Sequence, residues 1–353
     1  MKITFIVPAL NLTGGLRVIS IYANLLSKRG HTVTVISPNE KKPTLKEKIK
    51  SLLHWKGYVF DSGFNNAFFK NPNYEVMVLK EGLITAEDVP DSDVIIATFW
   101  ATAEWISDFP AEKGRKVYFI QHHEIHPWLP VKRVKDTFKL PFKKVVVAQW
   151  LADVLMGNYK QSDVSVVTNA VDHDLFHAPT RQKSDEVTFG MMYSGREYKG
   201  SQQAFECFNE LKIKYPFINL VLFGIESEKD VVGLPAYAEY ISQPDQEKIR
   251  DIYTECDAWL FTSKVEGFGL PILEAMACRT PVIGTRCGAA PDLLKTGGGM
   301  LVEVDDQAGF LRAMETICMM TKNEWLGMSS MAHQEALSHR WEVKVAEFER
   351  AIG

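Results

Sequence analysis

Two glutamates, Glu266 and Glu274, bracket a turn that carries Gly267 and Gly269 and opens a helix. The apolar run Ala258-Trp259-Leu260-Phe261-Thr262 just before it reads as a buried strand. Helix N-termini expose unpaired N–H groups and a partial positive charge, so they bind anions such as phosphate. Ionised glutamate accepts hydrogen bonds from sugar hydroxyls. Together these residues suit a phosphorylated polyol gripped by carboxylates. A second group is Arg196 and Lys199, in Ser194-Gly195-Arg196-Glu-Tyr-Lys199-Gly200, between an expected strand at 188–193 and a helix at 203–212. A planar guanidinium and a compact ammonium beside a helix N-terminus can clamp a diphosphate, or form an ordinary surface pair. A third is Gln121-His122-His123-Glu124-Ile-His126-Pro-Trp128, which follows an expected strand at 116–120. In a parallel open sheet that edge is where ligands bind. Zinc is disfavoured there, because its ligands come from separated elements or i,i+4 helix spacing and no HExxH occurs. Asp91-Ser-Asp93 is read as turn chemistry before a strand rather than as a metal site.

The string Glu266-Gly-Phe-Gly-Leu-Pro-Ile-Leu-Glu274-Ala-Met-Ala-Cys, a Glu-x7-Glu motif, resembles the signature of the retaining glycosyltransferases of family 4. The resemblance covers essentially the whole chain and is strongest from 194 to 305. It implies the GT-B fold: two Rossmann-like, doubly wound parallel-sheet domains facing a cleft, with the C-terminal helix crossing back to the N-terminal domain. It implies that Gly14-Gly15 is the glycine loop near the donor phosphates and the acceptor, and that His122 or His123 contacts the transferred sugar. Arg196 and Lys199 would hold the diphosphate, although the family commonly has a longer gap between them. Glu266 would hold sugar hydroxyls and Glu274 the nucleotide ribose. The turn Gly267, Phe268, Gly269, Leu270 would offer amides to phosphate and sugar, and the backbone from Gly224 onward would face the nucleobase. Asn169-Ala170-Val-Asp172 with Phe176 resembles the interdomain segment, Ala170 replacing a usual Gly. Gly288-Ala-Ala-Pro291-Asp292 departs from Gly-Gly-x-Pro-Glu by shortening the acid, and Arg340-Trp341-Glu342 resembles the start of the crossover.

The elements that must position these residues follow in order. Strand 3–7, the Gly14-Gly15 turn, helix 16–29 stopped by Gly30, and strand 32–36 form a parallel β-loop-helix-β unit. G-x-G-x-x-G is absent and Ser37-Pro38 stands where an acidic ribose partner would be needed, which argues against a nicotinamide dehydrogenase. Further strands are expected at 74–79, 93–98, 145–148 and 164–167, and a helix starts near 149. After a linker, strands are expected at 188–193, 219–223, 238–242 and 281–284, with a helix at 246–256 and a helical region from about 307 to 339. The domains are expected at 1–170, with the crossover at 340–353, and at 171–339.

A chain of 353 residues exceeds one core, and 46% apolar with 24% charged residues is ordinary globular composition. No run reaches the roughly 18 apolar residues that span a bilayer. The first eight residues are too soon punctuated for a signal peptide, and the five cysteines form no CxxC pair, so a cytoplasmic protein with reduced thiols is expected. Residues 1–168 hold 22 Lys+Arg against 16 Asp+Glu, and the remainder 18 against 28, so the N-terminal half is basic. Two clusters concentrate this charge, Lys41 to Lys56 and Lys132-Arg133-Val-Lys135 through Lys143-Lys144. Leu45, Ile49, Leu52 and Leu53 recur at near-helical spacing, which fits peripheral contact with an anionic membrane or a solvated basic helix on its own domain. No nucleic acid partner is expected.

The resulting expectation is a glycosyltransferase that moves a hexose-type sugar from a nucleoside diphosphate donor to a glycan or lipid-linked acceptor with retention, in cell-surface polysaccharide or glycolipid synthesis. Neither cofactor nor metal is expected, because helix amides, Arg196 and Lys199 would offset the leaving diphosphate's charge. A sugar phosphorylase, a sugar-nucleotide epimerase or a non-catalytic sugar-nucleotide-binding protein would share the fold.

Overall fold

The computed structural model describes residues 1–10, 14–38, 67–69, 72–79 and 83–353; the basic segment from Lys41 to Lys56 lies outside them. The chain divides into two compact units. One comprises Met1–Val146, Leu151–Val167 and Val345–Gly353, the other Val147–Trp150 and Thr168–Lys344.

Among the described residues the first unit holds a seven-stranded sheet: β1 Lys2–Ile6, β2 Thr32–Pro38, β3 Glu75–Leu79, β4 Val94–Ala97, β5 Arg115–Ile120, β6 Lys143–Val146 and β7 Val164–Val166. Every pairing is parallel, in the order β3-β2-β1-β4-β5-β6-β7, and Ile3 faces Val33 on one side and Val94 on the other. The near-continuous apolar runs of β1, β2 and β4 reflect burial on both sheet faces. Strand order reverses between β1 and β4, so the crevice of this unit opens at their carboxyl ends. Helix Gly14–Lys28 follows β1 and buries Leu16, Val18, Ile19, Tyr22, Ala23 and Leu26 at helical spacing.

The end of the final helix, Trp341–Ile352, belongs to this unit from Val345 onward. Phe348 is fully buried, stacked on Tyr22 at 4.4 Å and packed against the edge of Phe119 at 5.0 Å. Glu349 accepts from Arg29 Nε (2.7 Å) and pairs with His31 Nε2 (2.8 Å).

Three features differ from the sequence expectation. The short helices Trp100–Trp105 and Val131–Thr137 were not anticipated, since so few turns carry no readable periodicity. β6 starts at Lys143 rather than 145, and Lys144 is therefore buried at 1% exposure, not part of a basic surface. Its ammonium meets Leu140 O and Gln161 Oε1 (2.5 Å), and burial lowers its pKa to about 8. Within the second basic cluster, Arg133 pairs with Glu104, Lys139 with Asp136 and Lys143 with Asp163.

The second unit repeats the plan with six parallel strands: β8 Thr188–Met192, β9 Asn219–Gly224, β10 Ala238–Ser242, β11 Ala258–Phe261, β12 Val282–Thr285 and β13 Gly299–Val302. Their order is β10-β9-β8-β11-β12-β13, which places the strand-order reversal between β8 and β11. β13 was missed in the sequence because Gly297-Gly298-Gly299 masks its start. The helical stretch before 339 is two helices, Gln307–Met319 and Lys322–Leu337, the second opened by a capping box of Thr321 and Glu324. Phe189, Met191, Leu222 and Leu260 of the sheet pack with Phe205, Phe208, Phe310 and Met314 of the helices. Asp257, fully buried, accepts from the backbone of Ser184 and Thr188 (2.9 Å each) and pairs with Arg181. Among the described residues no helix is long and apolar enough to cross a membrane.

Candidate active site

At the strand-order reversal of the second unit, two loops leave the carboxyl ends of β8 and β11 and are sewn to each other. Thr262 Oγ1 donates to Lys199 O and Lys264 N to Tyr198 O, each at 2.7 Å. Gly200 has φ +70°, and a Cβ there would lie 2.1 Å from Thr262 O, so the close approach requires glycine. This stitching brings the Lys199 ammonium onto the Glu266 carboxylate as an ion pair, and Ser263 Oγ donates to the same oxygen at 2.9 Å. The side chains of Lys199 and Glu266 are 19% and 17% exposed, so the pair is sheltered but reachable. Arg196 is exposed and turns to Tyr198, donating to its hydroxyl at 2.7 Å.

The turn after Glu266 has its carbonyls tied back one by one. Gly267 O accepts from Trp150 Nε1 (2.9 Å), Phe268 O from Ala289 N (2.8 Å) and Gly269 O from Ile272 N (3.0 Å). The amides of Phe268, Gly269 and Leu270 are left without an acceptor among the described residues. Gly269 sits at φ +98° as the N-cap of helix Leu270–Ala277. Successive free amides at a helix start form an anion-binding concavity. Gly288, at φ +58°, braces the turn from the β12 side, and a Cβ on it would stand 2.7 Å from Phe268 O and 2.9 Å from Glu266 Cβ.

Glu274 lies on that helix at 7% exposure and accepts from Tyr253 Oη at 3.0 Å. Gly224 ends β9, where a Cβ would meet Tyr240 Oη at 2.6 Å. Glu226 beyond it accepts from Gly195 N at 3.2 Å, tying the β9 loop to the β8 loop.

In the first unit, Gly14 and Gly15 open the helix after β1, and Gly15 O accepts from Gln121 Nε2 at 3.1 Å. His123 Nε2 shares a hydrogen bond with Tyr159 Oη (2.9 Å), its ring 5.3 Å from Phe138. Burial, with the charges of Lys135 and His126, lowers its pKa below 6.5. His122 instead lies against His126 (5.1 Å), which stacks flat on Trp128 (4.5 Å). Sequence reasoning overlooked Glu124, whose Oε2 accepts from Trp100 N at 3.2 Å and whose pKa burial raises to about 8. It also overlooked Gln121, although both stand in the His-rich run already singled out. Trp150 carried no signal at all. Among the described residues no three His, Cys, Asp or Glu side chains converge as a metal-holding group.

Two Rossmann-like parallel-sheet units, each with its loops at a strand-order reversal, define the GT-B class of fold. Crystal structures of Anabaena HepE in complex with UDP and with UDP-glucose match this chain with TM-scores of 0.75 and 0.72. They cover 99% of this chain and 98% and 99% of theirs, at 15% and 17% identity, a likeness of fold. Residues 172–324, which include Lys199, Glu266 and Glu274, match the family model described as glycosyl transferases group 1. Among curated proteins, N-acetyl-alpha-D-glucosaminyl L-malate synthase of Bacillus anthracis is 43% identical over 65 residues, 18% of this chain and 17% of that protein. The phosphatidylinositol N-acetylglucosaminyltransferase subunit of Homo sapiens is 27% identical over 148 residues, 40% of this chain and 31% of that protein. The chain thus spans less than a third of the length of these two relatives.

Proposed function

We propose that this protein is a retaining, metal-independent glycosyltransferase of the Glu-x7-Glu type, moving a hexose-type sugar from a nucleoside diphosphate donor. The observation that carries this reading is the sheltered Lys199–Glu266 pair beside the open amides of Phe268, Gly269 and Leu270. The donor diphosphate would take the place of Glu266 at the Lys199 ammonium and accept from the turn amides. Glu266, released, would accept from hydroxyls of the transferred sugar. Lys199, Arg196 and the amides together would offset the charge that grows on the leaving diphosphate. Glu274 would meet the ribose and the backbone from Gly224 the base. His122 or His123 would contact the transferred sugar, and His123 Nε2 already shares a hydrogen bond with Tyr159. UDP is the nucleotide favoured for a first test, since structural neighbours are complexes with UDP and UDP-glucose.

The acceptor is a glycan or a lipid-linked glycan, and the process cell-surface polysaccharide or glycolipid synthesis at the cytoplasmic face of a membrane. Similarity to an O-antigen chain mannosyltransferase and to the phosphatidylinositol N-acetylglucosaminyltransferase supports this, as do exposed Lys132 and Lys135 near Trp128, which is 65% exposed. Charge reversal at Lys46, Lys48 and Lys50, or at Lys132 and Lys135, should abolish binding to anionic vesicles; unchanged binding rejects the membrane contact.

The test is thermal stability against UDP, GDP, ADP and their sugars in EDTA, for wild type and Lys199→Ala. A ligand that binds only the folded state raises the melting temperature by mass action. A selective rise lost in Lys199→Ala, followed by transfer with the product's anomeric configuration equal to the donor's, supports the proposal. Absence of any shift, or sugar release that depends on inorganic phosphate, rejects it.

A further inference from the structure

The peptide unit is planar, so its C=O and N–H point in opposite directions and move as one body. Whatever grips the carbonyl of residue 267 therefore aims the amide of residue 268. The same holds one peptide on, where Ala289 N grips Phe268 O and aims Gly269 N–H, and again where Ile272 N grips Gly269 O and aims Leu270 N–H. Two of the three grips are backbone and survive any substitution except proline. The first is a side chain: the indole Nε1 of Trp150, 2.9 Å from Gly267 O. Gly267 is buried, and a buried carbonyl in irregular backbone needs a partner. Gly267 and Gly269 give the turn wide backbone freedom, so a peptide without its grip could rotate. Trp150 comes from a distant stretch of sequence, 117 residues away, yet groups with the second unit.

We infer that Trp150 is a positioning residue for the donor site, holding the Gly267–Phe268 peptide so that the Phe268 N–H faces the donor's diphosphate and sugar. This rests on the reading of the site proposed above. The indole takes no part in the chemistry and acts only through the peptide it holds. Trp150→Phe keeps a ring but removes the N–H. Trp150→3-benzothienylalanine, in which sulfur replaces the indole nitrogen, removes the N–H with little change of shape and covers the case in which the phenylalanine variant folds poorly.

The experiment compares wild type, Lys199→Ala and the two Trp150 variants in UDP titrations, in melting curves, and in deuterium exchange of the peptide containing residues 266–270. The inference expects UDP affinity to fall about tenfold, the scale of one lost hydrogen bond to a charged group. It also expects faster exchange at 266–270, with the β8 strand and the melting temperature close to wild type. Wild-type affinity and exchange in the benzothienyl variant would overturn it while Lys199→Ala still loses UDP. A general fall in melting temperature with faster exchange throughout the unit would also overturn it, reducing Trp150 to a packing role. If wild type binds none of UDP, GDP and ADP, or Lys199→Ala binds as wild type does, the reading of the site itself fails and this inference with it.

Discussion

Lys199 and Glu266, 67 residues apart in sequence, are held as an ion pair by loops from two neighbouring strands. Each neutralises the other, and the proposed donor diphosphate would separate them. Glu266→Gln should therefore leave Lys199 more available to a diphosphate. Partly exposed pairs contribute about 0–1 kcal/mol, so UDP binding should be kept or tightened by up to about fivefold. Sugar transfer by the same variant should fall by roughly 100-fold or more, as when one transition-state contact is removed. Calorimetric titration beside a transfer assay checks both, and UDP binding much weaker than wild type would show that Glu266 does not compete for Lys199.

Gly200 is where the β8 loop presses on Thr262 O. A methyl at 2.1 Å from that oxygen, in left-handed backbone, cannot be accommodated without moving one loop. Gly200→Ala should separate Lys199 from Glu266, weaken UDP binding about tenfold or more, and lower stability by about 1–3 kcal/mol. Titration and urea melts of one preparation test this, and unchanged UDP affinity would refute it.

Glu124 supplies a pH dependence. Its folded pKa, about 8, stands above the ordinary 4.5 because burial disfavours the carboxylate. The folded unit then binds more protons than the unfolded chain between those values. The stabilising contribution is full below pH 4.5 and is lost as pH rises through about 8. Glu124→Gln, which resembles the protonated form, should lose less stability than wild type between about pH 5 and pH 8.5, read as urea midpoints. Parallel midpoint-versus-pH curves would assign the dependence elsewhere.

Phe348 anchors the final helix among Tyr22, Phe119 and Phe5. Phe348→Ala should destabilise the first unit by about 3–5 kcal/mol, the usual scale for a buried Phe→Ala. Denaturant unfolding followed by exchange of β1 and β5 peptides tests it, and a loss under about 1 kcal/mol would mean that the helix is held by its Glu349 contacts instead.

Much of the plan was legible because parallel strands buried on both faces must be apolar runs, as in β1, β2, β11 and β12. Where that signal was diluted, reading failed: β13 behind three glycines, Lys144 inside β6, and helices of six or seven residues. The open amides of the turn around Glu266 were legible because glycines and a proline at a helix start leave N–H groups unpaired.

By itself, then, the sequence determined the alternation of strands and helices, the glycines that permit close loops, and the residue types able to meet phosphate and hydroxyls. These follow from local chemistry and periodicity. Only the tertiary structure decided which groups meet. It put Lys199 on Glu266 rather than leaving it beside Arg196, gave His123 to Tyr159, set Glu124 at a helix start, and placed the Trp150 indole on Gly267 O. Such pairings join segments distant along the chain, and strand order and loop closure set them, not any spacing readable in the sequence.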